Sequence, residues 1–147
     1  MKRIVDRSFT VLAPLEVAWN HLAEVEQWPT WAKHIRSVAK SPEGPLSLET
    51  QGTLTLSNGA KTTFRMTEFE PLKHWKWVGS LFGFEFHYDH IFTERGPGQT
   101  TIRFVVEAEG WSVALFGSIF GWAYRRNLTR AVPLLVQEME AAASRII

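Results

Sequence analysis

Apolar residues recur along this chain with two different periods. Residues 4–12 mix apolar and β-branched positions with polar ones and stop at Ala13-Pro14. That predicts a strand followed by a helix, because Pro suits a first helical turn, where its missing N–H is not needed. In residues 14–25 the apolar Leu15, Ala18, Trp19, Leu22 and Val25 return at steps of three and four, with Asn20, His21 and Glu24 on the other face. This is the pattern of one short amphipathic helix. Trp28-Pro29-Thr30-Trp31 ends it, since Pro29 biases its predecessor away from helical angles, and a further short turn is expected there.

From residue 34 to residue 109 the helical period gives way to short strand-like runs. They are divided by Ser41-Pro42-Glu43-Gly44-Pro45, Ser57-Asn58-Gly59, Glu70-Pro71, Phe82-Gly83 and Gly96-Pro97-Gly98. Six strands fit between and around these turns, as an antiparallel meander. Asn58-Gly59 is the strongest turn signal, both residues tolerating the positive φ of a tight hairpin. Residues 112–147 return to helix. Gly117, Phe120, Gly121, Tyr124, Leu128, Val132, Leu135, Met139 and Ala142 form one stripe, with Arg126, Arg130, Gln137 and Glu140 opposite. Pro133 inside it predicts a kink.

One strand, one or two short helices, six strands and a long final helix make an α+β domain. The economical packing wraps a curved seven-stranded antiparallel sheet around that helix, with one sheet face wet. Pairing Leu81 with Phe84 across the Phe82-Gly83 turn sets Gly79 opposite Phe86, Trp77 opposite Tyr88 and Trp75 opposite His90 on one face. The other face then collects Lys76 with Asp89, read as an ion pair, and Val78 with His87. A slip of one residue would bury the charges. The inner wall is therefore expected to hold Trp75, Trp77, Phe86, Tyr88, His90, Phe92 and Phe104. Gly117 and Gly121 on the facing helix are read as leaving space against this aromatic wall, with Gly121 placed opposite Trp77 and Tyr88; close backbone contact is the competing explanation.

Composition adds limits. The 147 residues are 45% hydrophobic and 21% charged, which fits a single domain, residues 1–147, with a core that needs no staples. Cys is absent, so disulfides, zinc fingers and cysteine nucleophiles are excluded. A formal net charge of +1 gives no field that would favour nucleic acid. Aromatic residues, at 13%, exceed what such a core needs. Asp6 and Arg7 interrupt the amino terminus before an apolar stretch develops, so no signal peptide is expected and the compartment expected is the cytoplasm. The longest uncharged run, residues 110–124, is too short to cross a membrane. Arg125, Arg126 and Arg130 follow it directly, which resembles a membrane-surface anchor, although a solvated helix face is favoured over membrane contact.

Several segments together resemble a known family. They are Ala13-Pro14-Leu15-Glu16-Val17-Ala18-Trp19, Trp28-Pro29-Thr30-Trp31 before the second strand, Thr67-Glu68-Phe69-Glu70-Pro71 followed by Trp75-Lys76-Trp77, Gly98-Gln99-Thr100 before the last strand, and the long final helix. The chain is similar, over nearly its whole length, to the polyketide cyclase/dehydrase branch of the START/Bet v 1-like helix-grip superfamily. The resemblance implies a seven-stranded sheet gripping the final helix, with an apolar cavity between them for lipids, polyketides or other ring-bearing molecules. Cyclases, hydrolases and pure carriers share this fold, so it does not decide activity.

Candidate chemistry is sparse. His87 and His90, three apart on a strand, point to opposite faces and are not read as a metal pair. No nucleotide, Rossmann or nucleophile-elbow motif occurs, and neither metal nor cofactor is expected. Asp6, Glu107 and Glu109 are placed at water-facing strand positions. His90 is the best catalytic candidate, a desolvated imidazole able to move one proton near neutral pH. Tyr88 and Tyr124 can hold a ligand carbonyl or phenol. A regular strand would point Arg65 inward, whereas a bulge near Thr67, the preferred reading, turns Phe64 and Met66 inward instead. Trp28 and Trp31 either gate the cavity, sit on a membrane or simply pack. The expected ligand-binding set is Trp31, Trp75, Trp77, Phe86, Tyr88, His90, Phe104, Phe120, Gly121 and Tyr124. The expected function is binding of a hydrophobic, ring-containing small molecule. A cyclase or dehydratase using His90, and a lipid-delivery or partner-docking module, are the alternatives. Ligand identity and oligomeric state are not legible.

Overall fold

Alternating apolar and polar residues build seven strands in the computed structural model, which describes residues 1–81, 83–110 and 113–145, the side chains of residues 114 and 115 excepted. Strand β1 (Lys2–Val11) leads into helix α1 (Leu15–Ala23) and a 3₁₀ helix over Val25–Thr30. Strands β2 (Ile35–Ser41), β3 (Gln51–Leu56), β4 (Lys61–Glu70), β5 (His74–Leu81), β6 (Phe84–Gly96) and β7 (Gln99–Glu109) follow, and helix α2 (Val113–Ser144) closes the chain. The Phe82 turn residue, the expected helix start at Ser112 and the expected helix end at residues 146 and 147 lie outside the described residues.

All pairings are antiparallel, in the order β1-β7-β6-β5-β4-β3-β2, so the two strands flanking the short helices form the sheet edges. Together with the long α2 this is the helix-grip fold. The β5–β6 register pairs Trp75 with His90, Trp77 with Tyr88, Gly79 with Phe86 and Leu81 with Phe84. Lys76, His87 and Asp89 accordingly lie on the outer face. The expected ion pair between Lys76 and Asp89 does not form, because each has a better-placed neighbour: Lys76 Nζ is 3.4 Å from Glu68, and Asp89 Oδ1 is 2.9 Å from His74 Nδ1.

Strand β4 shifts register between Met66 and Glu68. The extra residue is Thr67, whose hydroxyl donates to the Lys76 carbonyl at 3.1 Å. The bulge turns Phe64 and Met66 into the core and leaves Arg65 in solvent. The Asn58-Gly59 turn is wider than a two-residue hairpin. Gly59 alone takes a positive φ, of 90°, while the Asn58 side chain accepts from the Ala60 N–H at 2.9 Å. An Asx interaction thus replaces the second left-handed residue.

Two clusters fill the space between sheet and helices. The larger joins Trp19, Leu22 and Trp28 of the short helices to Trp75, Phe92 and Ile102 of the sheet and to Leu135 and Met139 of α2. The smaller joins Ile4, Val5, Phe84, Phe86, Val106 and Ala108. Tyr88 and Leu128 touch both, and the space between the clusters is where the packing opens.

Candidate functional site

The opening is a cavity of about 360 Å³ between the first half of α2 and the concave sheet face. Trp28 and Trp31 wall one end, Trp77, Tyr88, His90 and Phe104 form the floor, and Phe120, Ala123, Tyr124, Asn127 and Leu128 of α2 close it. Leu54, Leu56 and Thr62 of β3 and β4 border the remaining side, with His34 near them. Its size and mostly apolar lining are those of small-molecule sites.

The aromatic floor is rigid because each ring braces the next. Trp77 lies 4.4 Å from Phe64 and 5.4 Å from Trp28, centroid to centroid, and Trp28 lies 5.5 Å from Trp31. The Trp28 indole N–H donates to the Leu22 carbonyl at 2.8 Å, which ties the 3₁₀ helix to α1. Trp28 and Trp31 are buried, so they are fixed walls rather than a surface feature.

His90 is held by the same stacking. Its ring lies on Trp75 at 4.5 Å and 20°, and Trp77 and Phe104 meet its edges at 5.1 and 5.7 Å. Nδ1 sits 3.2 Å from the Trp75 carbonyl, an acceptor only, so Nδ1 carries the proton and donates. Burial among rings pushes the His90 pKa down to about 3, the carbonyl opposing this only in part. The imidazole is therefore neutral at physiological pH, and Nε2 is a bare acceptor. Among the described residues the one fully buried side-chain nitrogen or oxygen without a partner is Trp75 Nε1. Nε2, unpartnered yet not fully enclosed, therefore opens onto the cavity. This corrects the expectation of an imidazole poised near neutrality, because the aromatic cage penalises imidazolium too strongly.

Tyr88 and Tyr124 meet hydroxyl to hydroxyl at 2.5 Å. One hydrogen serves that bond, leaving the other phenol free to donate. Burial, and for Tyr88 also the neighbouring phenol, raises both pKa values, well above the ordinary value in the case of Tyr88. Both phenols stay protonated. The floor and helix thus offer one aromatic nitrogen acceptor and one phenolic donor, and the Asn127 amide, Thr62 and His34 add polar groups elsewhere in the lining of a mostly apolar chamber.

Of the ten expected ligand-binding residues, Trp31, Trp77, Tyr88, His90, Phe104, Phe120 and Tyr124 line this cavity. Three do not. Trp75 is fully buried behind His90, sandwiched with Trp19 and Phe92, and so supports the floor from below. Phe86 is fully buried in the smaller cluster, 5.5 Å from Tyr124 and 5.8 Å from Phe120. Gly121 faces β1: a Cβ there would lie 3.1 Å from the Ile4 carbonyl oxygen and 3.3 Å from its Cβ. Gly117 likewise faces the Val113 and Lys2 side chains. The glycines permit close approach of helix to strand, and the cavity arises elsewhere. Sequence reasoning left Phe64, His34, Asn127 and Leu128 off the site. Asn127 and Leu128, three and four residues after Tyr124, were within reach of helical periodicity.

On the outer face, Glu85, His87 and Glu109 place three potential metal-ligand atoms within 4.8 Å of one another. His87 Nε2 is 3.1 Å from Glu109 and 3.4 Å from Glu85, and its bond to Glu109 lowers that carboxyl's pKa. His87 and His90 indeed face opposite sides, but the cross-strand placement of Glu85 beside Glu109 supplies partners that sequence spacing hides.

The family model described as polyketide cyclase / dehydrase and lipid transport matches residues 2–140. No curated protein matches the chain in sequence. Among solved structures, a hypothetical protein of Helicobacter pylori is similar at TM-score 0.76 and 16% identity, over 91% of this chain and 86% of that one. A conserved protein from Geobacillus kaustophilus gives 0.71 and 14%, over 93% and 95%. The Bet v 1-like protein Ara h 8.0201 gives 0.73 and 12%, over 93% and 97%. At these identities the likeness concerns the fold.

Proposed function

Because the chain belongs to the polyketide cyclase / dehydrase and lipid transport family, we propose that residues 1–147 act as one domain binding a hydrophobic, ring-containing small molecule in the cavity beneath α2. The observation that carries this reading is the pairing of an aromatic chamber with two unspent polar groups, His90 Nε2 and a phenol of the Tyr88–Tyr124 pair. Apolar burial supplies most of the affinity and the polar groups set orientation. A suitable ligand carries a hydroxyl that donates to Nε2 and a carbonyl or ether that accepts from the phenol. Lipids, polyketides and aromatic metabolites all include such molecules.

Native mass spectrometry of purified protein tests this. The expected result is a co-purifying small molecule, or saturable uptake of 2-naphthol by protein stripped of it. Ala123→Phe, which extends a ring into the cavity from a helix position that already has a Cβ, should abolish uptake while leaving the fold intact. Equal uptake by this variant would overturn the reading. Turnover through His90 has the chemistry of that residue against it, because an imidazole with a pKa of about 3 is a weak base and carries no acidic proton at neutral pH.

A further inference from the structure

The outward face of α2 carries a feature that ligand binding does not use. Ile119 and Trp122 are 61% and 56% exposed, and at 100° per residue they project from the side opposite Gly117, Gly121 and Tyr124, with Phe116, 44% exposed, at the edge of that face nearest Phe120. Among the described residues the other large exposed apolar ones, Met1, Leu12 and Leu48, lie outside α2, whereas these three fall within seven positions. Arg126 lies over the Trp122 ring at 5.3 Å, and Arg130 follows one turn later on the same side. Between residues 113 and 137 there is no Asp or Glu. Arg7, whose guanidinium donates to Thr129 at 3.2 Å, adds positive charge along the flank. Asp6 on β1 is engaged by Arg103 at 2.7 Å.

We infer that this helix face docks on an anionic lipid surface. Exposed apolar side chains ringed by cations suit the interface of a negatively charged bilayer, where Trp and Ile enter the headgroup boundary and Arg meets phosphates. A second copy of the chain fits worse, because this stretch of helix brings cations and no Asp or Glu to a two-fold contact, leaving Arg126 and Arg130 without a carboxylate partner from the facing copy of the helix. No described helix is long and apolar enough to span a membrane, so the contact is peripheral. The cavity lies on the inner side of the same helical segment, so docking would bring the cavity's cover to the lipid surface. The inference itself does not depend on what the cavity holds.

Vesicle co-sedimentation separates the possibilities. The full chain should sediment with phosphatidylcholine vesicles containing phosphatidylglycerol, scarcely with phosphatidylcholine alone, and less at high salt. Ile119→Ser with Trp122→Ser should weaken partitioning at least about tenfold. Arg126→Gln with Arg130→Gln should weaken it by roughly fivefold per arginine, on anionic vesicles only. Neither pair touches the cavity, so 2-naphthol uptake should be unchanged in both, which also reports correct folding and separates failure here from failure of the ligand reading. Absence of sedimentation, equal sedimentation with neutral vesicles, or variants that sediment like the parent would overturn the inference. So would concentration-dependent self-association in the ultracentrifuge that the Ile119/Trp122 variant abolishes, which would assign the face to a second copy.

Discussion

The two halves of α2 face the same sheet and behave differently. In the second half, Ala131, Leu135 and Met139 are buried at 2% exposure or less within the large cluster. In the first half, Phe120, Ala123, Tyr124, Asn127 and Leu128 are only half-buried although they also point inward, because the space before them is the cavity. The short helices account for the difference. Trp19 and Leu22 of α1 fill the interior in front of the second half, whereas the 3₁₀ helix brings Trp28 and Trp31 only as far as the cavity's end. An element that packs tightly at one end and spans an open chamber at the other can vary its contents without losing its anchor.

The largest effects should separate these halves. Leu135→Ala should cost about 2 to 5 kcal/mol in urea denaturation, as for a fully buried Leu. Leu128→Ala should cost less than about half of that, since part of its surface already meets empty space. Equal costs would mean that the first half is packed as densely as the second.

Gly121→Leu sharpens the same boundary. A side chain there must displace the Ile4 backbone, so a loss of roughly 1 to 3 kcal/mol is expected, outweighing the gain in helix propensity. A rise in melting temperature would show that helix and strand are not in close contact.

His90 gives the cavity floor a pH signature. Its folded pKa of about 3 lies below its ordinary 6.5, so the unfolded chain binds the proton more readily between those values, and folding weakens as pH falls through that window. The loss from this group should reach about 2 kcal/mol by pH 5. His90→Gln should lower stability at neutral pH yet remove this part of the slope, as read from urea melts at several pH values. A slope unchanged by the substitution would mean that His90 is solvated. Smallest is Tyr88→Phe, which should weaken binding of a ligand carrying a carbonyl by roughly 0.5 to 1.5 kcal/mol, measured calorimetrically, and hardly affect a bare hydrocarbon.

Much of the fold was legible because period and turn chemistry agree. The Trp75-to-Leu81 and Phe84-to-His90 register followed from alternation alone, since a slip would bury Lys76 and Asp89. The site was legible only as a wall. Which inward rings border space and which border one another depends on how far α1 and the 3₁₀ helix reach, and periodicity does not carry that distance. Trp75 and Phe86 share a face with Trp77 and Tyr88, yet Trp19 closes over the first and Phe120 over the second. Gly121 was misplaced on the cavity wall for the same reason: a missing side chain reads alike whether it makes a void or admits a neighbouring strand. The depth of the His90 pKa shift was likewise out of reach, because it depends on stacking from Trp75 and burial on all sides.

Nitrogen NMR of the imidazoles, during titration with 2-naphthol and then naphthalene, tests the ligand cavity most directly. His90 should respond at Nε2 when the hydroxylated ring enters, with Nδ1 still protonated toward Trp75, and more strongly than His34 at the cavity border, while naphthalene should perturb the cavity aromatics without that Nε2 change. A His90 signal that stays fixed while 2-naphthol binds, or a response confined to His74 and His87 on the outer face, would contradict the assignment of the cavity as the binding site.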